Sequence, residues 1–523
     1  MPSRNLAEDS FTLIEAGKYL LETGLYRMPS VGAAHAALEY TLPSWPVGFP
    51  LTLAGVFGIF GASEGVARIF TVTVSSVIAP LTAALAFVAF RSEGLAILAG
   101  TFAAIHPLAL GFSGQVFTNN LSAALFVASL YCLISALAVD NGRGGLVSLR
   151  AVQASRGRQW RFGLAFFLFG FMLAVRDTAI MFAPAWGYML YRSERNSFLA
   201  GKSNWAARGN CLLIGGGALL AGWAPSLYFN MVNFGWPVVS THYQTGIRLS
   251  LDYLLKGSDR FFGLPGIAVM SIIIVVYHFP FFGALPLLRK RFLAVRPFLV
   301  MAALIIVPLL SVNGAFPVAS AGAGPRYVLP LVPFTAIVSA YALCYGWQRS
   351  CKGGVVLVAS LILVWQMLLT YPPAFLFHLW SRLGYLTYYS PVYVKYPYHN
   401  YPDHTNAVVQ WVRENTPQTA LIVTPSRAQH FFYYGNREVV IMSAMSLSDW
   451  MSSVAKRPVY LVEDRNVAVN SAPMETLKKK LDLEGITLRV AGGVEVFTPE
   501  RGDIVLHIYL VSPKDGLAAG TGL

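Results

Sequence analysis

Long apolar runs separated by short charged loops are the feature that most constrains the fold of this chain. A transmembrane helix needs about 20 consecutive apolar residues to cross the hydrocarbon core of a bilayer. Ten runs are predicted as spans, near 64–90, 93–112, 119–138, 160–176, 178–191, 209–232, 262–287, 297–313, 327–347 and 354–377. A further run at 49–62 has only 14 residues and predicts a re-entrant or interfacial helix. The sequence therefore predicts a polytopic α-helical membrane protein with about 10–12 spans.

The composition agrees with a membrane bundle and excludes a water-soluble protein of this length. Of the 523 residues, 55% are hydrophobic and only 12% are charged, whereas soluble domains carry about 25% charged residues. The four cysteines show no metal-ligand spacing, and none follows residue 378. No metal site and no bound cofactor are therefore predicted, and a role for a divalent metal ion stays open.

Positive charge is concentrated in alternate loops between the apolar runs. If residues 1–45 lie outside, the inside loops carry 16 basic and three acidic residues, nearly the whole net charge of +14. Cytoplasmic loops of membrane proteins collect Lys and Arg, so this charge sets an orientation and implies no nucleic-acid partner. The prediction is a multi-pass protein of the cell (inner or plasma) membrane with both terminal regions extracytoplasmic.

Three domains are predicted from the change of pattern along the chain. Residues 1–45 form an extracytoplasmic acidic loop in which 10–24 has the spacing of an amphipathic helix, lying on a membrane or packed on a bundle. Residues 46–377 form the transmembrane bundle. Residues 378–523 form a small extracytoplasmic α/β domain, since a helix at 404–415 precedes the short apolar runs ALIVT, EVVIM, PVYLVED and DIVLHIYLV.

Basic residues on the outer side are the first candidates for function, because the charge bias of the cytoplasmic loops does not explain them. They are Arg176, Arg248, Lys256, Arg260 and Arg326. Such a cluster suits an anionic head group, and the planar guanidinium of Arg matches phosphate oxygens. The alternative is that these side chains are ordinary anchors that extend to the membrane interface.

Acidic and hydrogen-bonding side chains give further candidates on the same side. Glu8 and Asp9 precede the amphipathic helix, where a carboxylate can accept a proton from an acceptor group or cap the helix. His242 and Tyr243, in a long outer loop, are expected to line an acceptor cleft. His106 and His278 lie inside apolar runs and are expected to be packed and hydrogen-bonded.

Several segments, in order, resemble a known family. They are EDSFTLIEAGKYLLETGLYR (8–27), P-x-G-F-P (46–50), FGASEGVARIF (60–70), AVRDTAIMFAP (174–184), NFGWP (233–237), GPRYVLPLVPF (324–334), VVQWVRENTPQTALIVTP (408–425) and YYGNR (433–437). Together they resemble the GT-C superfamily of glycosyltransferases, family 39 type, which includes dolichyl-phosphate-mannose–protein mannosyltransferases and aminoarabinose transferases. The resemblance implies a GT-C-like bundle that takes a polyprenyl-phosphate-linked sugar, without fixing one substrate.

The resemblance also implies roles for particular residues. Asp9, with Glu8 beside it, corresponds to the general base in the first external loop, and Arg176 and Arg326 correspond to residues near the lipid phosphate. The implied reaction is the inverting transfer of a hexosyl or pentosyl group to a glycan, lipid or protein acceptor on the extracytoplasmic face.

Two departures from the family pattern qualify this interpretation. Relatives usually carry a transmembrane helix before the acidic motif, so the resemblance implies either a span upstream of Met1 or its loss. Relatives often carry a second acid where this chain has Asn119 and Asn120. Asparagine can hydrogen-bond but cannot act as a base, which puts a metal-dependent site in doubt. Asn119 is instead expected in the acceptor cleft.

Three other functions remain open at this stage. A transporter or flippase also has many spans and outer-face charges, but it would show inverted repeats and broken midplane helices. A glycan polymerase or ligase of the cell envelope would lack the acidic loop. The Asn119-Asn120 pair also leaves open a scaffold without catalytic activity.

Overall fold

The computed structural model describes most of the chain in separate stretches. The described residues are 8–31, 38–43, 45–139, 148–149, 156–199, 205–237, 274–275, 277–278, 284–285, 292–312, 328–349, 352–370, 404–424, 437–441, 447–463, 478–479, 481–482, 486–498 and 502–513. The chain divides into two compact units. The α/β unit comprises Met1–Ala16, Arg27–Leu42 and Lys395–Leu523, and the bundle unit comprises Gly17–Tyr26 and Pro43–Val394.

Apolar helices follow the predicted spans of the chain. Among the described residues before 371, the helices with both ends assigned are α1 Glu8–Thr23, α2 Gly48–Phe60, α3 Glu64–Phe90, α4 Glu93–Ala104, α5 Pro107–Ser113, α6 Thr118–Leu137, α7 Arg156–Val175, α8 Ala183–Leu199, α9 Trp205–Phe234, α10 Phe292–Val312, α11 Val332–Gln348 and α12 Lys352–Thr370. Two 3-10 turns, Asp177–Phe182 and Leu329–Leu331, precede α8 and α11. The predicted span at 262–287 lies mostly outside the described residues, and the predicted short helix at 49–62 is α2.

Not every apolar helix is long enough to cross a bilayer alone. Within the described stretches, four helices have the length and composition for it: Glu64–Phe90, Thr118–Leu137, Leu212–Phe234 and Leu329–Gln348. The pair α4 and α5 makes a fifth if the two helices, bent by 51°, form one span. Together with the sheet domain below, these helices confirm a polytopic helical membrane fold with a small C-terminal α/β domain.

Helices α7 and α9 pack through glycines at which the two backbones meet. A Cβ added at Gly170 would overlap the carbonyl oxygen of Leu219. A Cβ at Gly222 would overlap the carbonyl oxygen of Phe167 in the same way. Because lipid tails are as apolar as leucine side chains, close backbone approach rather than hydrophobic burial drives such helix pairs together.

The break between α4 and α5 lies at His106. Its Nδ1 accepts a hydrogen bond of 3.2 Å from the backbone N–H of Leu108 and so caps α5. The His106 ring centroid lies 5.0 Å from that of His278. His278 Nδ1 in turn lies 3.2 Å from Thr335 Oγ1 on α11. Both histidines are therefore packed and hydrogen-bonded inside the bundle, as the sequence predicts.

Helix α1 confirms the predicted amphipathic helix near the N-terminus. Leu13, Ala16 and Leu20 are buried along one side of the helix. Glu22, on the opposite side, is exposed. Gly17 allows close approach to α2, since a Cβ added there would lie 3.0 Å from Leu53 Cβ. The second half of α1 thus packs on the bundle, which was one of the two arrangements expected.

The α/β unit is built on a five-stranded sheet. Its strands are β5 Leu421–Thr424, β6 Glu438–Ile441, β7 Val459–Val462, β8 Ile486–Thr498 and β9 Gly502–Pro513, in the order β6-β5-β7-β9-β8. Strands β6, β5 and β7 are parallel, and β9 and β8 run antiparallel to their neighbours. Helices α13 His404–Asn415 and α14 Leu447–Lys456 lie in the same unit. A separate hairpin pairs β1 Met28–Val31 with β2 Leu38–Thr41, and two-residue strands β3 Ala138–Val139 and β4 Ser148–Leu149 pair within the bundle unit.

The sheet buries a different apolar cluster on each face. One cluster lies on the face covered by α13: Val408, Val409, Val412, Ala420, Ile422, Val439, Val462, Leu506 and Ile508. The other lies on the opposite face, with Val454 of α14 packed against it: Leu421, Val423, Val440, Val459, Leu461, Leu481, Ile486, Tyr509 and Val511. Alternation along β5 supplies both clusters, because successive side chains of a strand point to opposite faces.

Arg437 joins α13 to the sheet. It is 7% exposed, and its Nη2 donates hydrogen bonds to the carbonyl oxygens of Arg413 (3.0 Å) and Thr416 (2.7 Å). Its Nε donates to Thr416 Oγ1 at 3.2 Å. The cation thus satisfies carbonyls at the C-terminal end of α13, where the helix dipole favours positive charge. The YYGNR and VVQWVREN motifs meet through this contact.

Candidate functional site

Arg176 lies at the end of α7, where the helix passes into the 3-10 turn Asp177–Phe182. Its backbone N–H still donates to the Met172 carbonyl at 2.9 Å, so the residue is fixed to the last helical turn. Its side chain is partly buried, and its Nε donates a hydrogen bond of 2.6 Å to Thr178 Oγ1. The Thr178 backbone N–H donates to Asp177 Oδ1 at 2.7 Å. Three consecutive residues thus form one hydrogen-bonded corner.

Gly48 presses the P-x-G-F-P segment against this corner. A Cβ added at Gly48 would lie 2.6 Å from both the carbonyl oxygen of Ala174 and the backbone nitrogen of Val175. Only glycine permits this approach, and the residue that follows Val175 is Arg176. Two segments of the resemblance, 46–50 and 174–184, are therefore in direct contact.

Tyr26 connects two further segments to the segment that contains Gly48. Its hydroxyl donates to the carbonyl oxygens of Trp45 (2.6 Å) and Pro46 (3.3 Å), and burial raises the pKa of the phenol well above its usual value. Its ring meets that of Phe229 edge to face at 6.0 Å. The side-chain amide of Asn233 lies 3.5 Å from the Tyr26 carbonyl oxygen. The end of α1, the segment before α2 and the end of α9 thus converge.

The NFGWP segment closes α9 with a glycine turn. Gly235 has a φ of +74°, and its N–H donates to the Met231 carbonyl at 2.9 Å. The side-chain amide of Asn230 donates to the Pro237 carbonyl at 3.2 Å. A left-handed glycine directly after the last helical residue is a common way to end a helix. The turn fixes the end of α9 that presents Asn233 to Tyr26.

Helix α6 contacts the segments that follow Arg176 and Arg326. The Phe126 ring lies 5.0 Å from the ring of Phe182, at the end of the 3-10 turn that begins after Arg176. It also lies 6.1 Å from Phe334, eight residues after Arg326. The segments that follow Arg176 and Arg326 therefore both contact the Phe126 ring. Arg326 itself lies outside the described residues, as do Arg248, Lys256, Arg260, His242 and Tyr243.

Asn119 and Asn120 lie in the first turn of α6 and are both buried, with 7% and 1% of their surface exposed. The Asn120 side-chain amide donates to the carbonyls of Phe112 (2.9 Å) and Gln115 (3.1 Å). Asn120 therefore fixes the loop between α5 and α6. The place of Asn119 in an acceptor cleft stays a prediction.

The acidic pair Glu8-Asp9 lies in the first turn of α1, because the helix begins at Glu8. Ser10 follows it and is fully buried. The structure describes the backbone of the pair and not its side chains, and the role of Asp9 as a base stays a prediction.

No group of three or more His, Cys, Asp or Glu side chains with the geometry of a metal site occurs among the residues that the structure describes. The sequence identified Arg176 but not its partner Thr178, nor the contacts of Gly48 with Ala174 and Val175 and of Tyr26 with Trp45 and Pro46. The glycine of P-x-G-F-P was a usable signal, since a residue without a Cβ permits close approach of the backbone. The hydroxyl of Thr178 carried no signal of its own.

Comparison with known families gives one short match. The model of the family described as "Domain of unknown function (DUF6798)" matches residues 403–450. That segment contains α13, β5, β6 and the start of α14, together with the Arg437 contact. No curated protein matches the chain.

Solved structures give a match over nearly the whole chain. Two structures of ArnT from Cupriavidus metallidurans, one in the apo state and one bound to undecaprenyl phosphate, superpose with TM-scores of 0.58 and 0.57 at 12% identity. The match covers 97% of this chain and 93% and 94% of those chains. The oligosaccharyltransferase AglB from Archaeoglobus fulgidus, in complex with an inhibitory peptide and a dolichol-phosphate, has a TM-score of 0.49 at 14% identity, over 95% of this chain and 70% of its own. The chain therefore has the fold of these ArnT structures, which is the fold class that its ordered motifs predict.

Proposed function

We propose that this chain is a membrane glycosyltransferase that moves a sugar from a polyprenyl-phosphate donor to an acceptor on the extracytoplasmic face. The observation that carries the proposal is the convergence at Arg176. Segments 46–50 and 174–184 are in contact there, and Tyr26 and Asn233 bring in segments 8–27 and 233–237. Residues of four segments that are far apart in sequence and resemble glycosyltransferase motifs thus lie together in the bundle unit.

In this mechanism Arg176 and Arg326 bind the donor phosphate at the membrane boundary. Arg248, Lys256 and Arg260, in the same outer region of the sequence, add positive charge. When the bond between the anomeric carbon and the phosphate oxygen breaks, its electron pair leaves with the polyprenyl phosphate. Preorganised donors stabilise that growing charge more in the transition state than in the ground state, and each is worth about 3 kcal/mol.

Asp9 acts as the general base in the same step. The acceptor hydroxyl or amine attacks the anomeric carbon from the face opposite to the phosphate, which inverts the configuration. Its proton passes to the Asp9 carboxylate, with Glu8 as the neighbouring acid. His242, Tyr243 and Asn119 line the acceptor side. A carboxylate that takes this proton contributes on the order of 10²–10⁴-fold to the rate.

The test is the release of polyprenyl phosphate by the full chain reconstituted in liposomes with undecaprenyl-phosphate sugars labelled in the sugar. Asp9→Asn is expected to lower release by at least about a hundredfold. The matched control is Glu22→Gln, because Glu22 is an exposed acid on the same helix and its loss should leave release unchanged. Wild-type turnover by Asp9→Asn would remove Asp9 from the site, and no release by the wild-type chain from any such sugar would refute the proposal.

Transport of a lipid-linked substrate is the second candidate, and one observation favours it. The α4 and α5 helices are broken at His106 with a bend of 51°, and broken helices are typical of transporters. The same liposomes separate the two functions. A flippase moves the intact labelled donor across the bilayer without releasing polyprenyl phosphate, whereas a transferase releases it.

A further inference from the structure

The hydroxyl of Thr178 accepts a hydrogen bond of 2.6 Å from the Arg176 Nε. An arginine side chain has four rotatable bonds, and an Nε contact restrains the last of them. Thr178, two residues after Arg176 in the same turn, therefore restrains the plane of the guanidinium. Thr178 is 9% exposed, so solvent competes little for this hydrogen bond.

We propose that Thr178 is a positioning residue that orients the Arg176 guanidinium toward the phosphate of a polyprenyl-phosphate lipid. The inference rests on the proposed function and adds a residue to the site. A phosphate is bound best when two N–H groups of the guanidinium point at two of its oxygens together. That geometry depends on the guanidinium plane, which the contact at Nε controls.

The frame around Thr178 is itself fixed. Its backbone N–H donates to Asp177 Oδ1 at 2.7 Å, and the next N–H, of Ala179, donates to the Arg176 carbonyl at 3.0 Å. On the other side, the backbone of Gly48 lies against Ala174 and Val175. The backbone that carries both partners is therefore held from two directions, and the Thr178 hydroxyl acts on the guanidinium from a fixed position.

Binding of two lipids that differ only in the phosphate tests this role. The full chain in detergent is titrated with undecaprenyl phosphate and, separately, with undecaprenol. Thr178→Val keeps the branched shape and removes the hydroxyl, and it is expected to weaken binding of undecaprenyl phosphate about tenfold. Thr178→Ser keeps the hydroxyl and should restore binding. Binding of undecaprenol should be the same in all variants.

Two variants serve as controls. Arg176→Ala is expected to weaken binding of undecaprenyl phosphate about a hundredfold. Thr82→Val should change nothing, because Thr82 is a fully buried threonine whose hydroxyl donates to the Ile78 carbonyl of its own helix, at 2.7 Å.

Each outcome decides a different point. If Arg176→Ala weakens phosphate binding and Thr178→Val does not, Thr178 has no positioning role while the proposed function stands. If Thr178→Val weakens binding of both lipids equally, or if Thr178→Ser is as weak as Thr178→Val, the effect is structural and the inference is wrong. If Arg176→Ala binds undecaprenyl phosphate as the wild type does, the phosphate role of Arg176 falls, and the inference falls with it.

Discussion

The bundle unit and the α/β unit both have glycine at close contacts, but the group that the glycine contacts differs between them. In the bundle unit, Gly222 faces the Phe167 carbonyl and Gly48 faces the Ala174 carbonyl, so backbone meets backbone. In the α/β unit, Gly492 of β8 faces the indole ring of Trp411 on α13, so a side chain meets backbone. A side chain can rotate away at modest cost, whereas two helices must separate along their length.

The difference follows from the surroundings of each unit. Helices in lipid gain little from burying apolar side chains, so they associate by close packing of small residues. A sheet domain in water gains about 25 cal/mol for each Å² of apolar surface that it buries. A tryptophan over a glycine serves that purpose, because it covers the strand with a large apolar ring. The two units should therefore respond differently to the same Gly→Ala change.

Gly222→Ala should give the largest loss of stability. Its Cβ would overlap the Phe167 carbonyl and approach the Phe171 nitrogen to 2.8 Å, and overpacking of this kind costs about 3 kcal/mol. Thermal unfolding of the full chain in detergent measures it. Gly216→Ala on the same helix has open space within 4 Å and should be neutral or slightly stabilising. Equal stability of the two variants would contradict backbone contact between α7 and α9.

Arg437→Ala should destabilise the α/β unit by about 2–3 kcal/mol, because it leaves buried carbonyls at the end of α13 without a donor. Limited proteolysis of the full chain, followed with a C-terminal tag, reports this loss. Arg413→Ala is the control, since the Arg413 side chain is exposed on the same helix. If both variants resist protease as the wild type does, the Arg437 contact contributes nothing to stability.

Gly492→Ala should cost about 1–2 kcal/mol, less than Gly222→Ala, because the Trp411 ring can move. The same proteolysis assay applies. In a Trp411→Ala background the cost of Gly492→Ala should largely vanish, which a double-mutant cycle measures as a coupling energy. Additive effects of the two changes would mean that the ring and the glycine do not meet.

Tyr26→Phe should give the smallest effect, about 1 kcal/mol, from loss of the hydrogen bond to the Trp45 and Pro46 carbonyls. Burial raises the pKa of the Tyr26 phenol above its usual value of 10.0. The wild type is therefore expected to keep this contribution below about pH 10 and lose it as the pH rises further. Thermal unfolding between pH 8 and pH 11 should bring the two proteins together at the alkaline end. A constant difference across that range would exclude ionisation of Tyr26 as the cause.

The sequence predicted most of the fold because lipid imposes a simple rule on length and polarity. Each helix that spans the bilayer must be long and apolar, so α3, α6 and α9 are visible as runs between charges. The sheet domain was predicted in part. Strand β8 was missed because Gly492 and Gly493 interrupt its apolar pattern, and α14 was missed because it is short and amphipathic.

The candidate site was predicted less completely than the fold, for a physical reason. Arg176 is visible because an unexplained cation at a span end is costly and therefore informative. Its surroundings depend on pairs that sequence spacing does not reveal, such as Gly48 with Val175 and Tyr26 with Pro46. Thr178 is close in sequence, but a hydroxyl near an arginine is too common to indicate a contact.

Strand β5 has a consequence for the segment 403–450 that other chains share. It pairs on one side with β6, inside the segment, and on its other side with β7, at Val459–Val462, outside it. If the chain ended at residue 450, β5 would lose its partner β7. The edge of this buried strand would then expose a row of unpaired backbone N–H and C=O groups. In this chain the segment 403–450 is thus a fragment of a module and not a module, because its inner strand needs β7 from outside the segment.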